Sequence, residues 1–149
     1  MKIPEKITIY IDGGARGNPG PAAIGVLFLG EKGQLLKEYS QYLGEKTNNE
    51  AEYLALIFAL KKVKALFGKE KTQNLLIDLK SDSELLIKQM KGKYKIKTPA
   101  IQKLFLEAWN LKIEFNNLTF HLIPREENKR ADKLVNQVLD AESGKRKLF

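Results

Sequence analysis

Ile7-Thr8-Ile9-Tyr10-Ile11-Asp12-Gly13-Gly14-Ala15-Arg16-Gly17-Asn18-Pro19-Gly20-Pro21 begins as a strand and ends as a loop. Ile7, Ile9 and Ile11 alternate with Thr8, Tyr10 and Asp12, the period of two expected of a strand with one buried face. The strand closes on an acid, and the glycine-rich segment 13–21 follows it. Two further apolar runs, Ala22–Leu29 and Gln34–Leu43, flank Gly30-Glu31-Lys32-Gly33, which has the composition of a hairpin turn. Together the three segments predict an antiparallel meander.

Beyond the meander the pattern turns helical. Thr47-Asn48-Asn49-Glu50 has the form of a capping box, and Leu54, Ile57, Phe58 and Val63 carry an apolar stripe towards Phe67. A strand is expected at about Asn74–Lys80. Ser81-Asp82-Ser83-Glu84 then reads as a second capping box opening a short helix towards Met90. Lys91–Lys97 is a basic loop, and Thr98-Pro99 starts a helix running to Leu111. The last strand, about Leu118–Ile123, leads through Pro124 into a helix over Asn128–Ala141. The order βββαβααβα predicts an α/β domain with a mixed sheet.

Topology converts this order into a site. In a meander, strand three runs parallel to strand one, so right-handed crossovers place strands four and five successively beside strand one, in the order 3-2-1-4-5. Asp12 ends strand one, Asp82 follows strand four, and Glu52 and Asp132 lie in the early turns of the helices after strands three and five. All four acids therefore meet at the carboxyl edge of the parallel strands, where open α/β sheets bind ligands. Four converging carboxylates need cations to offset their repulsion, and oxygen-only ligands suit Mg²⁺ or Mn²⁺. Paired ions of that kind support displacement at phosphorus. Taken singly, each acid has a plainer reading as a cap, a turn residue or a solvated helix position; their convergence favours the site. Asp78 reads as structural, with Lys80 as its partner on the same face.

Composition sets the frame. The chain has 149 residues, 43% hydrophobic and 30% charged, with no cysteine and a formal net charge of +8. It is expected to form a single domain over 1–149 with a short basic tail at about 143–149 (Gly144-Lys145-Arg146-Lys147). Thiolate chemistry and disulfides are excluded. No apolar run approaches the roughly 20 residues of a membrane span, and residues 1–6 lead straight into a strand, so a cytoplasmic monomer with no membrane partner is expected. The basic surplus favours a polyanion.

The combination of Asp12-Gly13-Gly14-Ala15-Arg16-Gly17-Asn18-Pro19-Gly20-Pro21 with Thr47-Asn48-Asn49-Glu50-Ala51-Glu52, Ser81-Asp82-Ser83 and Asn128-Lys129-Arg130-Ala131-Asp132 resembles type 1 ribonuclease H, from Lys6 to about Asp140. The resemblance implies a ribonuclease H-like fold, a five-stranded mixed sheet in the same 3-2-1-4-5 order with flanking helices. It also implies hydrolysis of the RNA strand of an RNA/DNA hybrid to 3′-hydroxyl and 5′-phosphate ends. On it, Asp12 would bridge two ions, Asp132 would help hold the one that activates water, and Glu52 and Asp82 the one facing the leaving group. Asn18, Thr47, Asn48 and Asn49 would contact the nucleic-acid backbone, with Gly13 allowing its close approach.

Two departures from that family stand out. No histidine lies in Ile123-Pro124-Arg125-Glu126-Glu127-Asn128, where many members carry a mobile one; Arg125 is the substitute by position. His121 lies inside a strand and is expected to be structural. The segment between Asp82 and Trp109 is too short for a long basic protrusion. Lys88, Lys91, Lys93, Lys95 and Lys97 around Tyr94 offer either a reduced grip on the DNA strand or a solvated loop. Trp109 is expected to pack in the core with Phe105 and Leu106. Two alternatives stay open: the same chemistry on double-stranded RNA, and a silent hybrid-binding module. A dinucleotide oxidoreductase is disfavoured, because the glycine loop joins two antiparallel strands instead of opening a helix.

Overall fold

The computed structural model describes residues 4–148. Its sheet runs β3-β2-β1-β4-β5, the expected order. The strands are β1 (Lys6–Ala15), β2 (Gly20–Leu29), β3 (Leu35–Lys46), β4 (Leu76–Ser81) and β5 (Asn117–Leu122). β1, β2 and β3 pair antiparallel, whereas β4 is parallel to both β1 and β5. The helices are α1 (Asn48–Phe67), α2 (Lys69–Asn74), α3 (Glu84–Met90), α4 (Pro99–Ile113) and α5 (Lys129–Leu148). No described helix is long and apolar enough to cross a membrane.

The alternation in β1 becomes two cores. Ile7, Ile9 and Ile11 are fully buried with Leu56, Leu60 and Val63 of α1 and with Ile77 and Leu79 of β4. On the opposite face, α5 lays Val135 and Leu139 over Ala23. β2 is thus buried from both sides, and reads as an unbroken apolar run for that reason.

Two glycines set the spacing of these layers. A Cβ at Gly13 would fall on the Ala51 carbonyl of α1, and one at Gly25 on the Ala131 carbonyl of α5. Ala51 precedes Glu52 and Ala131 precedes Asp132, so each glycine admits the helical turn that carries a carboxylate.

Several expectations need correction. α2, with the sequence Lys69-Glu70-Lys71-Thr72-Gln73-Asn74, has no apolar period to announce it. The cap of α3 is Ser83, whose hydroxyl accepts from the Leu86 N–H; Ser81 stays in β4, opposite Leu122, and accepts from the Ser83 N–H. α5 continues through Gly144-Lys145-Arg146-Lys147, so the basic segment is helical; its side chains from Arg146 onward, together with residues 1–3 and Phe149, lie outside the described residues. Asp78 pairs with Lys6 of β1 at 3.0 Å and with His121 of β5 at 2.9 Å, not with Lys80, whose ammonium lies over the Tyr10 ring. A parallel ladder brings neighbouring strands closer than the next same-face residue along one strand. His121, expected to be structural, is engaged in this pair with Asp78. Trp109 is 37% exposed, stacked on Phe105 and covered by Lys112 at 4.2 Å. Only Ile101 and Ala108 of α4 are buried, a narrower stripe than its sequence suggests.

Candidate active site

β4 ends at Ser81 while β1 continues to Ala15, and their pairing stops at Tyr10 opposite Lys80. Beyond that point the strand ends part and leave a crevice. Asp12 enters it from β1, Asp82 from the turn after β4 and Glu52 from the second turn of α1. One ligand oxygen from each of these three lies within 4.8 Å of the others. Asp132, in the first turn of α5, is exposed at the rim, and its charge acts on both Asp12 and Asp82. The four acids named from the sequence therefore share one place, three as a tight group and the fourth at its border.

α1 is positioned by its cap. The Thr47 hydroxyl accepts from the Glu50 N–H at 3.1 Å, and Glu50 accepts from the Thr47 N–H at 2.9 Å, the expected capping box. Asn48 fastens the helix start to the glycine loop: its side-chain oxygen accepts from Ala15 N–H at 2.9 Å, and its own N–H donates to Asn18 at 3.0 Å. Asn18 and Asn48 thus spend their oxygens on the protein, while their amide nitrogens have no partner among the described residues. The Gly13 N–H donates to Asp12 at 3.0 Å. Its missing side chain makes room for α1, so the close approach expected of Gly13 is made by this protein's own helix.

Burial, and then the nearby charges of Asp82 and Asp132, push the Asp12 carboxyl from 3.8 up to about 8. Glu52 is raised well above its ordinary value, by burial first and then by Asp12 and Asp82. Burial also raises Asp82, against the opposing pull of Arg125 and a hydrogen bond from Asn128. Oε2 of Glu52 is buried without a hydrogen-bond partner. A buried carboxylate oxygen with no donor, amid two other acids, fits a divalent cation and is costly without one.

Asn128 is a site residue that the sequence reading quoted only as part of a motif. It is 1% exposed and donates to the Ile11 carbonyl at 2.8 Å, joining the start of α5 to the residue before Asp12. Its signal was its place, directly before the helix that brings Asp132.

Beside the crevice, α3, the loop 91–98 and the start of α4 enclose a cleft of about 480 Å³, lined by Asn49, Lys93, Tyr94, Lys95 and Lys97 among others. The basic loop expected from the sequence is therefore folded around a cavity that shares the α1 amino terminus with the carboxylates.

The pattern of the reverse transcriptase-like family matches residues 10–138. The chain belongs to this family. Its ribonuclease H fold is shared with LC11-RNase H1, isolated from compost by a metagenomic approach: 50% identity and a TM-score of 0.87 over 93% of this chain and 98% of that one. The same relative in complex with RNA/DNA hybrid gives 49% identity, a TM-score of 0.85, and 91% and 98% coverage. Ribonuclease HI of Halobacterium salinarum is 38% identical over 91% of this chain and 65% of its own length. A bifunctional protein of Mycobacterium tuberculosis is also 38% identical over 91% of this chain, which spans only 36% of that relative.

Proposed function

We propose that this chain is a divalent-metal-dependent endoribonuclease that cuts the RNA strand of RNA/DNA hybrids, leaving 5′-phosphate and 3′-hydroxyl ends. The observation that carries the proposal is the group of Asp12, Glu52 and Asp82, with one buried Glu52 oxygen left without a donor. A module that only bound phosphate would gain nothing from clustered negative charge. The hybrid complex of LC11-RNase H1 supports the choice of substrate.

Asp12, Glu52 and Asp82, with Asp132 at the border, would hold Mg²⁺ or Mn²⁺. When bound, such ions activate water and offset charge at the scissile phosphate. The rest falls to the chain's own groups. Arg125 lowers the proton affinity of both Glu52 and Asp82, which places a fixed positive charge beside the crevice, where it can meet a phosphate oxygen. Thr47, Asn48 and Asn49 stand at the amino terminus of α1, whose dipole favours phosphate. Asn18 and Asn48 keep amide hydrogens available for ribose or phosphate oxygens. Lys93, Lys95 and Lys97 hold the second strand by charge in the adjoining cleft.

The test is cleavage of end-labelled hybrid, double-stranded RNA, single-stranded RNA and DNA with Mg²⁺ or Mn²⁺, beside Asp82→Asn. Internal cuts in hybrid RNA, lost in Asp82→Asn while binding persists, are expected. Preferential cutting of double-stranded RNA would replace the substrate, and cleavage indifferent to chelator would overturn the metal assignment.

A further inference from the structure

Gln89 is 4% exposed, set in α3 among Leu86, Ile87 and Met90, which are all buried. Leucine or methionine would fill that volume without a polar group to satisfy. Its amide instead forms two bonds in opposite directions. The oxygen accepts from the Tyr53 hydroxyl of α1 at 2.6 Å, and the nitrogen donates to the backbone carbonyl of Lys95 at 3.1 Å. Tyr53 is itself 1% exposed, and burial raises its phenol above the ordinary value, so it stays a donor throughout the working pH range.

The Lys93 and Tyr94 N–H groups donate to the Lys88 carbonyl at 2.8 and 3.3 Å and fix the start of the loop; beyond them, other side chains brace it in water. Gln102 donates to the Ile96 carbonyl at 3.1 Å, and the Tyr94 hydroxyl donates to Glu84 at 2.8 Å, both exposed. Solvent competes for those two, and not for the bond between Tyr53 and Gln89. The lysines that line the cleft, Lys93, Lys95 and Lys97, flank the carbonyls that are held.

We propose that Gln89 is a positioning residue for substrate binding: it fixes the Lys93–Lys97 segment as the wall of the basic cleft by tying the Lys95 backbone to α1, one residue from Glu52. The proposal rests on the hybrid-cleaving reading for its substrate, and on the hydrogen bonds alone for the brace. Grip and chemistry are then set by one helix, since α1 carries both Glu52 and the anchor of the loop.

The test compares Gln89→Met, which keeps the volume and removes both bonds, with Tyr53→Phe, which removes one donor. KM and kcat on hybrid are measured over a range of KCl, and amide hydrogen exchange at residues 93–96 is followed without nucleic acid. For Gln89→Met, KM rises about tenfold, the scale of a lost buried hydrogen bond, with kcat changed less than about twofold. The slope of log affinity against log salt becomes shallower by about one to two as lysine contacts are lost, and exchange at 93–96 accelerates. Tyr53→Phe moves each readout in the same direction by less. Unchanged KM, slope and exchange, even with a lower melting temperature, would overturn the proposal. If wild-type protein fails to cut hybrid, the proposed function fails, and exchange alone decides the brace.

Discussion

Asp12 and Glu52 are held by backbone packed on backbone, through the Gly13 contact with Ala51, whereas the loop of Lys93, Lys95 and Lys97 is held by hydrogen bonds to a few single carbonyls, those of Lys88, Lys95 and Ile96. The two regions ask for different precision. A cation bound by carboxylates needs ligand oxygens placed to within a few tenths of an ångström, which only rigid elements provide. A lysine attracts a phosphate over several ångströms, so a loop with a few braces is enough. The acidic edge is accordingly part-buried and under electrostatic stress, and the basic wall is largely exposed.

Substitutions should therefore act on the two regions in different currencies. The largest expected effect is that of Glu52→Gln, which removes one charge of the proposed metal site: single-turnover cleavage of hybrid falls by more than about a hundredfold. In chelator the same variant gains stability by denaturant titration, because a carboxyl group whose buried Oε2 lacks a donor has become a neutral amide. Gly13→Ala comes next. Its methyl group meets the Ala51 carbonyl, costing about 1–3 kcal/mol in unfolding free energy and reducing cleavage with it.

The pH dependence of the metal-free protein separates the regions further. Folded Asp12 keeps its proton up to about pH 8, while in the unfolded chain it ionises near 3.8. Between those values the folded state binds more protons, so stability falls as pH rises from about 4 to about 8 and levels above. Asp12→Asn flattens that part of the profile, which thermal melts in chelator would show; an unchanged slope would refute the origin assigned to it. For the basic wall, Lys93→Ala or Lys95→Ala leaves stability within about 0.5 kcal/mol and weakens hybrid binding, each reducing the salt slope by about one. Smallest of all, His121→Ala costs less than about 1 kcal/mol, because the pair with Asp78 is part-exposed, and leaves cleavage unchanged.

Much of the acidic edge was legible in advance, because it follows from topology. Strand order and crossover hand decide which element ends share an edge; Glu52, Asp82 and Asp132 sit at such ends, while Asp12, expected to end its strand, lies inside β1 just past the point where its pairing with β4 stops. The basic wall was legible only as a run of lysines. Whether such a run lines a cleft depends on groups such as Gln89 and Gln102, whose side-chain bonds to carbonyls six residues away leave no periodic trace. The cap of α3 shows the same limit on a smaller scale. Ser81 and Ser83 both suit a cap by type, and the pairing of β4 with β5 holds Ser81 in the sheet. Trp109 was misplaced because the apolar spacing of α4 does not reveal how narrow its contact with the core is.

The length of α5 bears on the surplus of positive charge. Lys145 lies thirteen residues beyond Asp132 on one continuous helix, roughly 20 Å along its axis at about 1.5 Å per residue. That is about two and a half Debye lengths at physiological salt, so the ammonium is largely screened from the carboxylates. The positive charge at the far end of α5 therefore leaves the repulsion among Asp12, Glu52 and Asp82 where it is.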